Sequence, residues 1–384
     1  MRFSSARKNS SGVNRKHLNR RGRRDAESSA PIPAGIVETL EGRTMMSVSV
    51  DAQGWTVVGP AADSKVVYVS STAGNDANSG TSASSPVKSL ARGESLLRNG
   101  SADQLLLKRG DTWSEAFGTW DKSGRSDNEP MLIGTYGSGT NPLLKTGTSN
   151  GLTTGGTPVS HLFLQGIHFN ASSRDAGTPD YKGSTGGGYG FQALSKLDDL
   201  TIEGCEFENY RMNVSVQRYF GDMTDVTVRR NVISNAWSTP TGGHSSGLYV
   251  TGVQGFLMEE NVFDHNGWNA QAPGSKPTIF NHNVYMRQDN TGVVVRGNVF
   301  ANASSHGLQA RSGGVIKDNL FLNNPIHMSF GLTNGSPGLA GGVSGEVSGN
   351  VFLGGRDIDG SGRRGIRCHS PLRSRRRQGW ASRW

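Results

Sequence analysis

The sequence reads Val293-Val-Val-Arg-Gly-Asn-Val-Phe300 and, a few residues later, Gly314-Val-Ile-Lys-Asp-Asn-Leu-Phe321. A shorter alternating segment precedes each copy, Asn281-His-Asn-Val-Tyr-Met-Arg287 before the first and Ser305-His-Gly-Leu-Gln-Ala-Arg311 before the second. Alternation of apolar and polar residues over such short runs is typical of β-strands, and the Gly- and Asn-rich junctions indicate turns. Residues 278–321 therefore contain two copies of one strand–turn–strand unit.

The closing pattern of this unit recurs along the chain. Its copies are Gly204-Cys-Glu-Phe207, Arg230-Asn-Val-Ile233, Glu260-Asn-Val-Phe263, Gly297-Asn-Val-Phe300, Asp318-Asn-Leu-Phe321 and Gly349-Asn-Val-Phe352. A repeat of this size with loops of variable length is typical of a solenoid, because one unit can bury its apolar side only by stacking on its neighbours. The absence of helical apolar periodicity after residue 100 predicts that the coils are built from β-strands.

Superposing the copies predicts columns of side chains that run from coil to coil. Two inward apolar columns are Leu162, Leu200, Val226, Phe256 and Val293, and Leu164, Ile202, Val228, Met258, Val295, Ile316 and Val347. A third inward column is polar, with Ile167 and Cys205 followed by Asn231, Asn261, Asn298, Asn319 and Asn350. Strands of successive coils lie about 4.8 Å apart, so the stacked amides are expected to bond to one another and to the turn backbone.

With its Asn ladder, the sequence over roughly residues 66–360 resembles the right-handed parallel β-helix of the pectate-lyase-like superfamily. The resemblance implies an all-β fold in which a groove between one sheet and its loops holds the substrate. It says little about activity, since this fold hosts lyases, hydrolases, epimerases and non-catalytic adhesins. The expected partner is a polysaccharide, and we expect the protein to be a monomer.

Three regions are predicted. Residues 1–65 form a basic export-associated region and linker, residues 66–360 form the β-helix, and residues 361–384 form a basic aberrant tail. Residues 66–100 should cap the open end of the core, with a helix after Ser85-Pro-Val-Lys-Ser-Leu90, as in many β-helix polysaccharide enzymes that this entry segment resembles. We expect both tails to be disordered.

Charge and hydropathy limit the function classes. The net charge of +9 comes from the tails, since residues 1–25 carry nine Lys or Arg against one acid and residues 361–384 carry eight Arg and no acid. The part between them is acidic, so the sequence does not predict a nucleic-acid-binding domain. No apolar run reaches transmembrane length.

The stretch Val37-Glu-Thr-Leu-Glu-Gly-Arg-Thr-Met-Met-Ser47 resembles a short export-associated motif on surface proteins of planctomycete bacteria. The resemblance implies an extracellular or cell-surface location. The alternative is an untargeted basic tail. At the other end, the loss of alternation after residue 360 is interpreted as a shifted reading frame or degraded gene end, and the alternative there is a genuine basic tail.

The strand before each tight turn carries the residues suited to chemistry. Aligning six such strands predicts an outward column of Gln192, Ser215, Tyr249, Tyr285, Gln309 and His327, and beside it Leu194, Gln217, Thr251, Arg287, Arg311 and Ser329. His244, His282 and His306 precede three of these strands, and the loop containing Trp268 should lie over them. We expect exposed His, Tyr and Arg side chains to gather on one sheet.

This pattern favours a polysaccharide lyase over a glycoside hydrolase. Glycoside hydrolysis needs two carboxylates, and neither outward column contains Asp or Glu. β-Elimination on a uronic acid needs a cation at the carboxylate, a base and an acid, which Arg, Tyr and His can supply. The candidate catalytic residues are His282, Tyr285, Arg287, His306 and Arg311, and the candidate substrate-binding residues are His244, Tyr249, Trp268, Gln309 and His327.

Two alternatives stay open. A Ca²⁺ ion held by loop acids could replace arginine as the neutralising group, and no other cofactor is expected. The columns could also be ordinary side-chain stacks on a non-catalytic surface or adhesion solenoid. The neighbouring column Glu203, Arg229, Glu259, Arg296 and Lys317 is expected to be such a structural stack.

Overall fold

The computed structural model describes residues 47–183, 186–239, 241–331 and 342–358. Short strands joined by turns and loops wind into coils, and the strands of successive coils pair in parallel to make three sheets, called here sheets I, II and III. The fold is a right-handed parallel β-helix with a helix at its N-terminal end, so the predicted fold class is confirmed.

Within the described residues, sheet I has ten strands: Val66–Val69, Gln104–Lys108, Met131–Tyr136, Val159–Gln165, Leu197–Glu203, Met223–Arg229, Val253–Glu259, Val294–Arg296, Gly313–Lys317 and Ser344–Ser348. Sheet II has nine: Thr112–Trp113, Leu143–Lys145, His168–Asn170, Glu206–Glu208, Val232–Ser234, Val262–Asp264, Val299–Ala301, Leu320–Leu322 and Val351–Leu353. Sheet III has eight: Gly118–Trp120, Leu152–Thr154, Tyr189–Ala193, Met212–Gln217, Ser246–Thr251, His282–Met286, His306–Ala310 and Ile326–Phe330.

The core fills the space between the three sheets. Both predicted apolar columns point into it, and of their members only Val347, in the last described coil, is more than marginally exposed. Aromatic rings of sheet II add a stack, in which the ring centroids of Phe300 and Phe321 lie 4.8 Å apart and those of Phe321 and Phe352 lie 4.9 Å apart. Apolar contacts therefore continue from coil to coil through the core.

The predicted Asn ladder is confirmed at the turn between sheets I and II. The amide of Asn261 donates to the side-chain oxygen of Asn298 at 2.9 Å, and Asn298 donates to Asn319 at 3.0 Å. The same oxygen of Asn298 also accepts from the backbone N–H of Asn261 at 2.9 Å. Each buried turn thus has its polar groups satisfied by the next coil.

A second Asn ladder lies at the turn between sheets II and III. It was not predicted from the repeat pattern. Asn213 donates to the side-chain oxygen of Asn266 at 3.1 Å, and Asn266 donates to that of Asn283 at 3.0 Å. Asn266 lies in a loop whereas the other two lie in strands. Aligning the repeats on the Asn-Val-Phe ending could not reveal this column, because its members have no fixed spacing from that ending.

The predicted cap is an α-helix over Leu90–Ser95, and a 3₁₀ helix over Ser172–Arg174 lies in a later loop. The hydroxyl of Ser89 accepts a backbone N–H of the first turn of the cap helix. A Cβ atom at Gly93 would lie 2.8 Å from the side chains of both Leu105 and Val69, so the helix packs directly on the first coils. This contact covers the apolar end of the solenoid.

An antiparallel hairpin of Val48–Val50 and Thr56–Val58 lies on the outer face of sheet I and was not predicted. The backbone N–H of Thr56 donates to the Glu203 carboxylate at 3.3 Å, and the Gln165 amide donates to the Thr56 carbonyl at 2.7 Å. Glu203 is fully buried as a result. The hairpin therefore covers one end of the charged column on this sheet.

The charged column is structural, as expected. The Nε atom of Arg229 lies 3.3 Å from the Glu203 carboxylate and 3.5 Å from that of Glu259, and Arg296 pairs with Glu259 at 2.5 Å. The signs alternate from Glu203 to Arg296, which makes these contacts attractive, whereas Lys317 follows Arg296 with the same sign.

The export-like segment up to Met46 and the basic segment from residue 361 lie outside the described residues. The predictions of disorder, of export and of a shifted reading frame therefore remain predictions. Among the helices of the described part, none has the length and apolar character needed to cross a lipid bilayer.

Replacing Asn298 by Leu should lower the free energy of unfolding by about 1–3 kcal/mol, because the amide and N–H of Asn261 would lose their acceptor. Chemical denaturation followed by circular dichroism measures the change. Asn128→Leu, at an exposed position, is the matched control. Equal stability of Asn298→Leu and the parent would contradict a stabilising role of the ladder.

Candidate functional site

The outward face of sheet III is where the predicted site residues meet. The strand register pairs Gln192 with Ser215, Ser215 with Tyr249, Tyr249 with Tyr285, and Tyr285 with Gln309. This confirms the predicted column over five coils. Two residues further along each strand, the neighbouring outward column holds Gln217, Thr251, Arg287 and Arg311.

Two tyrosines and two arginines form a compact cluster on three successive coils, called here the Arg/Tyr cluster: Tyr249, Tyr285, Arg287 and Arg311. The rings of Tyr249 and Tyr285 meet edge to face with centroids 5.3 Å apart. The guanidinium of Arg311 lies 4.9 Å from the centre of the Tyr285 ring, a cation–π contact. The Tyr249 hydroxyl is the neighbour that most strongly raises the pKa of Arg287. All four side chains are partly exposed.

His282 and His306 lie beside this cluster at the start of their strands. Their ring centroids are 5.0 Å apart, and the His282 ring lies 5.2 Å from that of Tyr285. The Ser305 hydroxyl lies 2.8 Å from His282 Nδ1 and 3.2 Å from His306 Nδ1. The same oxygen lies 2.7 Å from the Asn281 carbonyl oxygen.

Both imidazoles are held neutral. Burial, followed by the positive charge of Arg311, lowers the pKa of His306 to about 3. Burial also lowers the pKa of His282 well below its usual value, and the neighbouring side chains of His306, Arg311 and His244 act in the same direction. Positive charge in this part of sheet III is therefore carried by the arginines.

The expectation that all these side chains are exposed is wrong for three of them. His282, His306 and Gln309 are 4%, 6% and 3% exposed. The chain before His282 folds back over the histidines. There the Ser305 hydroxyl lies 3.1 Å from the Ile279 carbonyl and 2.7 Å from the Asn281 carbonyl. Ser305 was not identified from the sequence, and a serine next to a histidine gives no periodic signal that would have revealed it.

The predicted position of His327 is also wrong. The register pairs Leu308 with Met328 and Gln309 with Ser329, so the outward position on this strand belongs to Ser329. His327 faces inward, where its ring lies 5.6 Å from that of Phe352 and its Nε2 bonds the Gly354 carbonyl at 2.8 Å. Aligning Ile326 with Leu308 placed the strand two residues out of register. A shift of two residues keeps the alternation intact, so the pattern could not expose the error. His327 lies opposite Gly307, where a Cβ atom would meet the Phe321 ring, so at this corner of the coil the side chain points inward despite the alternation.

His244 and Trp268 do not join the cluster. The register pairs Ser246 with His282, which places His244 two residues before the equivalent position, and its exposed ring packs 5.6 Å from Phe280. The indole N–H of Trp268 donates to the Asn302 carbonyl at 3.0 Å, beyond the end of a sheet II strand. The predicted equivalence of three histidines thus holds only for His282 and His306.

Asp289 is the acid that lies against this face. Its carboxylate accepts from the Thr251 hydroxyl at 2.9 Å and contributes to the field at Arg287. Asp264 instead bonds Asn302, and Glu260 pairs with Arg230, both away from sheet III. The described part of the face therefore offers one carboxylate rather than a facing pair.

A second group of ligating atoms lies on sheet I. His161 Nδ1 lies 2.9 Å from an Asp127 oxygen and 3.2 Å from an Asp199 oxygen. In the described part of the chain, this is the one cluster of three His, Cys, Asp or Glu residues compact enough to surround a metal ion. Both aspartates also line a cavity of about 310 Å³ beneath the N-terminal hairpin. The loop acids that would hold Ca²⁺ in the alternative with the ion in place of an arginine do not form such a group in the described residues.

Residues 165–352 match the protein-family model described as a right handed beta helix region. Among solved structures, the chain is similar to a GH136 lacto-N-biosidase from Eubacterium ramulus, with a TM-score of 0.40 and 15% identity over 76% of this chain. It spans 64% of the length of that protein.

It is also similar to a rhamnogalacturonan lyase, with a TM-score of 0.40 and 13% identity over 74% of this chain and 87% of that one. Pectate lyase Pel9A gives a TM-score of 0.40 and 16% identity over 76% and 77% of the two chains. No curated protein matches the sequence. The family match and the three stacked sheets agree on a right-handed β-helix.

Proposed function

We propose that this protein binds an acidic, uronic-acid-containing polysaccharide along sheet III and cleaves it by β-elimination. The observation that carries the proposal is the Arg/Tyr cluster, in which Arg311 covers the ring of Tyr285 and Arg287 lies beside the Tyr249 hydroxyl, which raises its pKa. Two guanidinium groups on adjacent coils suit a chain of sugar carboxylates, because Arg pairs with carboxylate through two parallel hydrogen bonds.

Arg287 is assigned to the carboxylate of the reacting sugar. Its Nε atom is buried without a hydrogen-bond partner among the described residues, and it forms no salt bridge with them. Neutralising the carboxylate makes the adjacent C5 proton easier to remove. Arg287 thus provides the positive charge that the elimination requires at the sugar carboxylate.

Tyr285 and Tyr249 are assigned to proton transfer. Tyr285, as the phenolate, takes the C5 proton, the bond between C4 and its leaving oxygen breaks, and a C4–C5 double bond forms. Burial raises the pKa of Tyr249, so this phenol stays protonated at neutral pH and can give its proton to the leaving oxygen. Exchange with solvent then restores both tyrosines.

His282 and His306 are assigned to positioning rather than to proton abstraction. With a pKa of about 3, the His306 imidazole is a weak base, and His282 is shifted in the same direction. Their contacts with Tyr285 and Ser305 instead fix the wall against which the tyrosine ring rests.

The single carboxylate, Asp289, on the described part of this face argues against a glycoside hydrolase, which needs two carboxylates about 5–9.5 Å apart. We also propose an extracellular or surface location, in keeping with a polymeric substrate and with the export-like segment at residues 37–47. A monomer suffices, because one chain supplies every residue of the cluster. If the protein cleaves no acidic glycan, the alternative function is that of a non-catalytic adhesion solenoid.

Arg287→Ala should abolish the release of unsaturated products from polygalacturonate or alginate, because the sugar carboxylate loses its counter-charge. The ultraviolet absorbance of those products is the measurement. Arg296→Ala, a partly exposed arginine on sheet I, should behave like the parent. Circular dichroism should be unchanged in both variants. Full turnover by Arg287→Ala and Tyr285→Phe together would exclude this face as the site.

The buried histidines should make the fold sensitive to acid. Their folded-state pKa values lie below the unfolded value of 6.5, so between about pH 6.5 and 3 the unfolded chain binds more protons and stability falls as pH falls. Each imidazole contributes up to about 1.4 kcal/mol per pH unit in this window. Urea unfolding of His306→Gln at several pH values should show a flatter profile than the parent.

His265→Gln is the control for this experiment, because its side chain is 44% exposed. Parallel profiles for the parent and His306→Gln would show that burial does not hold His306 neutral.

A further inference from the structure

A prominent turn joins sheet III to sheet I two coils before Arg287. It contains Arg218, Tyr219 and Phe220, immediately after the strand Met212–Gln217. Tyr219 is 72% exposed and Phe220 is 55% exposed. Two adjacent aromatic side chains this open to solvent form an apolar surface that the fold itself does not use.

The turn is held in one conformation. The backbone N–H of Arg218 donates to the Thr251 carbonyl and that of Phe220 donates to the Leu194 carbonyl, both at 3.0 Å. The rings of Tyr219 and Phe220 meet edge to face with centroids 4.7 Å apart. A rigid platform loses little conformational entropy when a ligand stacks on it.

Arg218 adds a positive charge beside this platform. A Cβ atom at Gly252, with φ of +71°, would lie 2.5 Å from the Cβ of Arg218, so the arginine side chain passes over the tight turn of the next coil. Arg218 is exposed, and among the described residues its guanidinium forms neither a salt bridge nor a hydrogen bond. The charge is therefore available to an anion from solution.

The turn lies on the same edge of sheet III as the Arg/Tyr cluster. Gln217 pairs with Thr251, which is equivalent to Arg287 one coil later, so Arg218 and Arg287 leave their strands at the same edge. Two coils separate them, or about 10 Å along the solenoid axis. That distance corresponds to a small number of sugar units in an extended chain.

We infer that Arg218, Tyr219 and Phe220 form a second carbohydrate subsite, which binds a uronic acid residue of the same acidic glycan held at Arg287. The apolar C–H face of the sugar ring stacks on the aromatic pair, and its carboxylate pairs with Arg218. This inference rests on the proposed function and adds to it a requirement for a substrate that spans both positions. It predicts that affinity rises with the length of the glycan.

The test is affinity electrophoresis in gels that contain polygalacturonate or alginate, followed by titration with fragments of increasing length. Tyr219→Ala/Phe220→Ala and Arg218→Ala should each weaken binding of the polymer at least tenfold. The loss should be smaller for disaccharides than for the polymer, since a disaccharide cannot span the two positions. Circular dichroism and thermal unfolding should match the parent, because these side chains are exposed.

Trp55→Ala is the matched control, since Trp55 is an exposed aromatic that covers Arg230 on sheet I. It should bind the polymer like the parent. A parent that cleaves and binds acidic glycan, with turn variants that bind the polymer equally well, overturns the subsite and leaves the proposed function standing. A parent that binds no acidic glycan overturns both. Equal losses on neutral dextran and on the acidic polymers overturn the pairing of Arg218 with a carboxylate.

Discussion

The structure depends on satisfying buried turn amides by stacking one coil on the next. At the turn between sheets I and II, Asn261, Asn298 and Asn319 donate to their successors and also satisfy backbone groups of adjacent coils. The second ladder through Asn266 does the same where sheet III begins. A buried amide without a partner is costly, so each coil can lie in only one register on its neighbour.

That fixed register is what creates a functional face. Once coils stack in phase, any residue type repeated at one outward position becomes a column with members about 4.8 Å apart. On sheet I this spacing gives alternating Glu and Arg, a structural column partly covered by the hairpin. On sheet III the same spacing brings Tyr249, Tyr285 and the two arginines together.

The turns between sheets III and I then shape the ends of the face. At Gly252 the turn is tight, whereas the coil before it extends through Arg218, Tyr219 and Phe220, and the coil after it extends through Arg287 and Asp289. Protruding turns are tolerated because each coil satisfies its ladder bonds before the chain leaves it. Insertions can therefore add charge and aromatic surface at little expense to the core.

Pattern alone determined the repeat, the inward columns, the first Asn ladder and the alignment of five sheet III strands, because these follow from local alternation and a shared ending. It could not determine the second ladder, the hairpin, the burial of His282 and His306 or the inward position of His327. Each of these depends on contacts between residues that have no fixed spacing in the sequence. One example is the Ser305 hydroxyl, which lies within hydrogen-bond distance of both histidine rings and of the Asn281 carbonyl. Alternation assigns a side chain to a face, and only the tertiary structure decides what covers it.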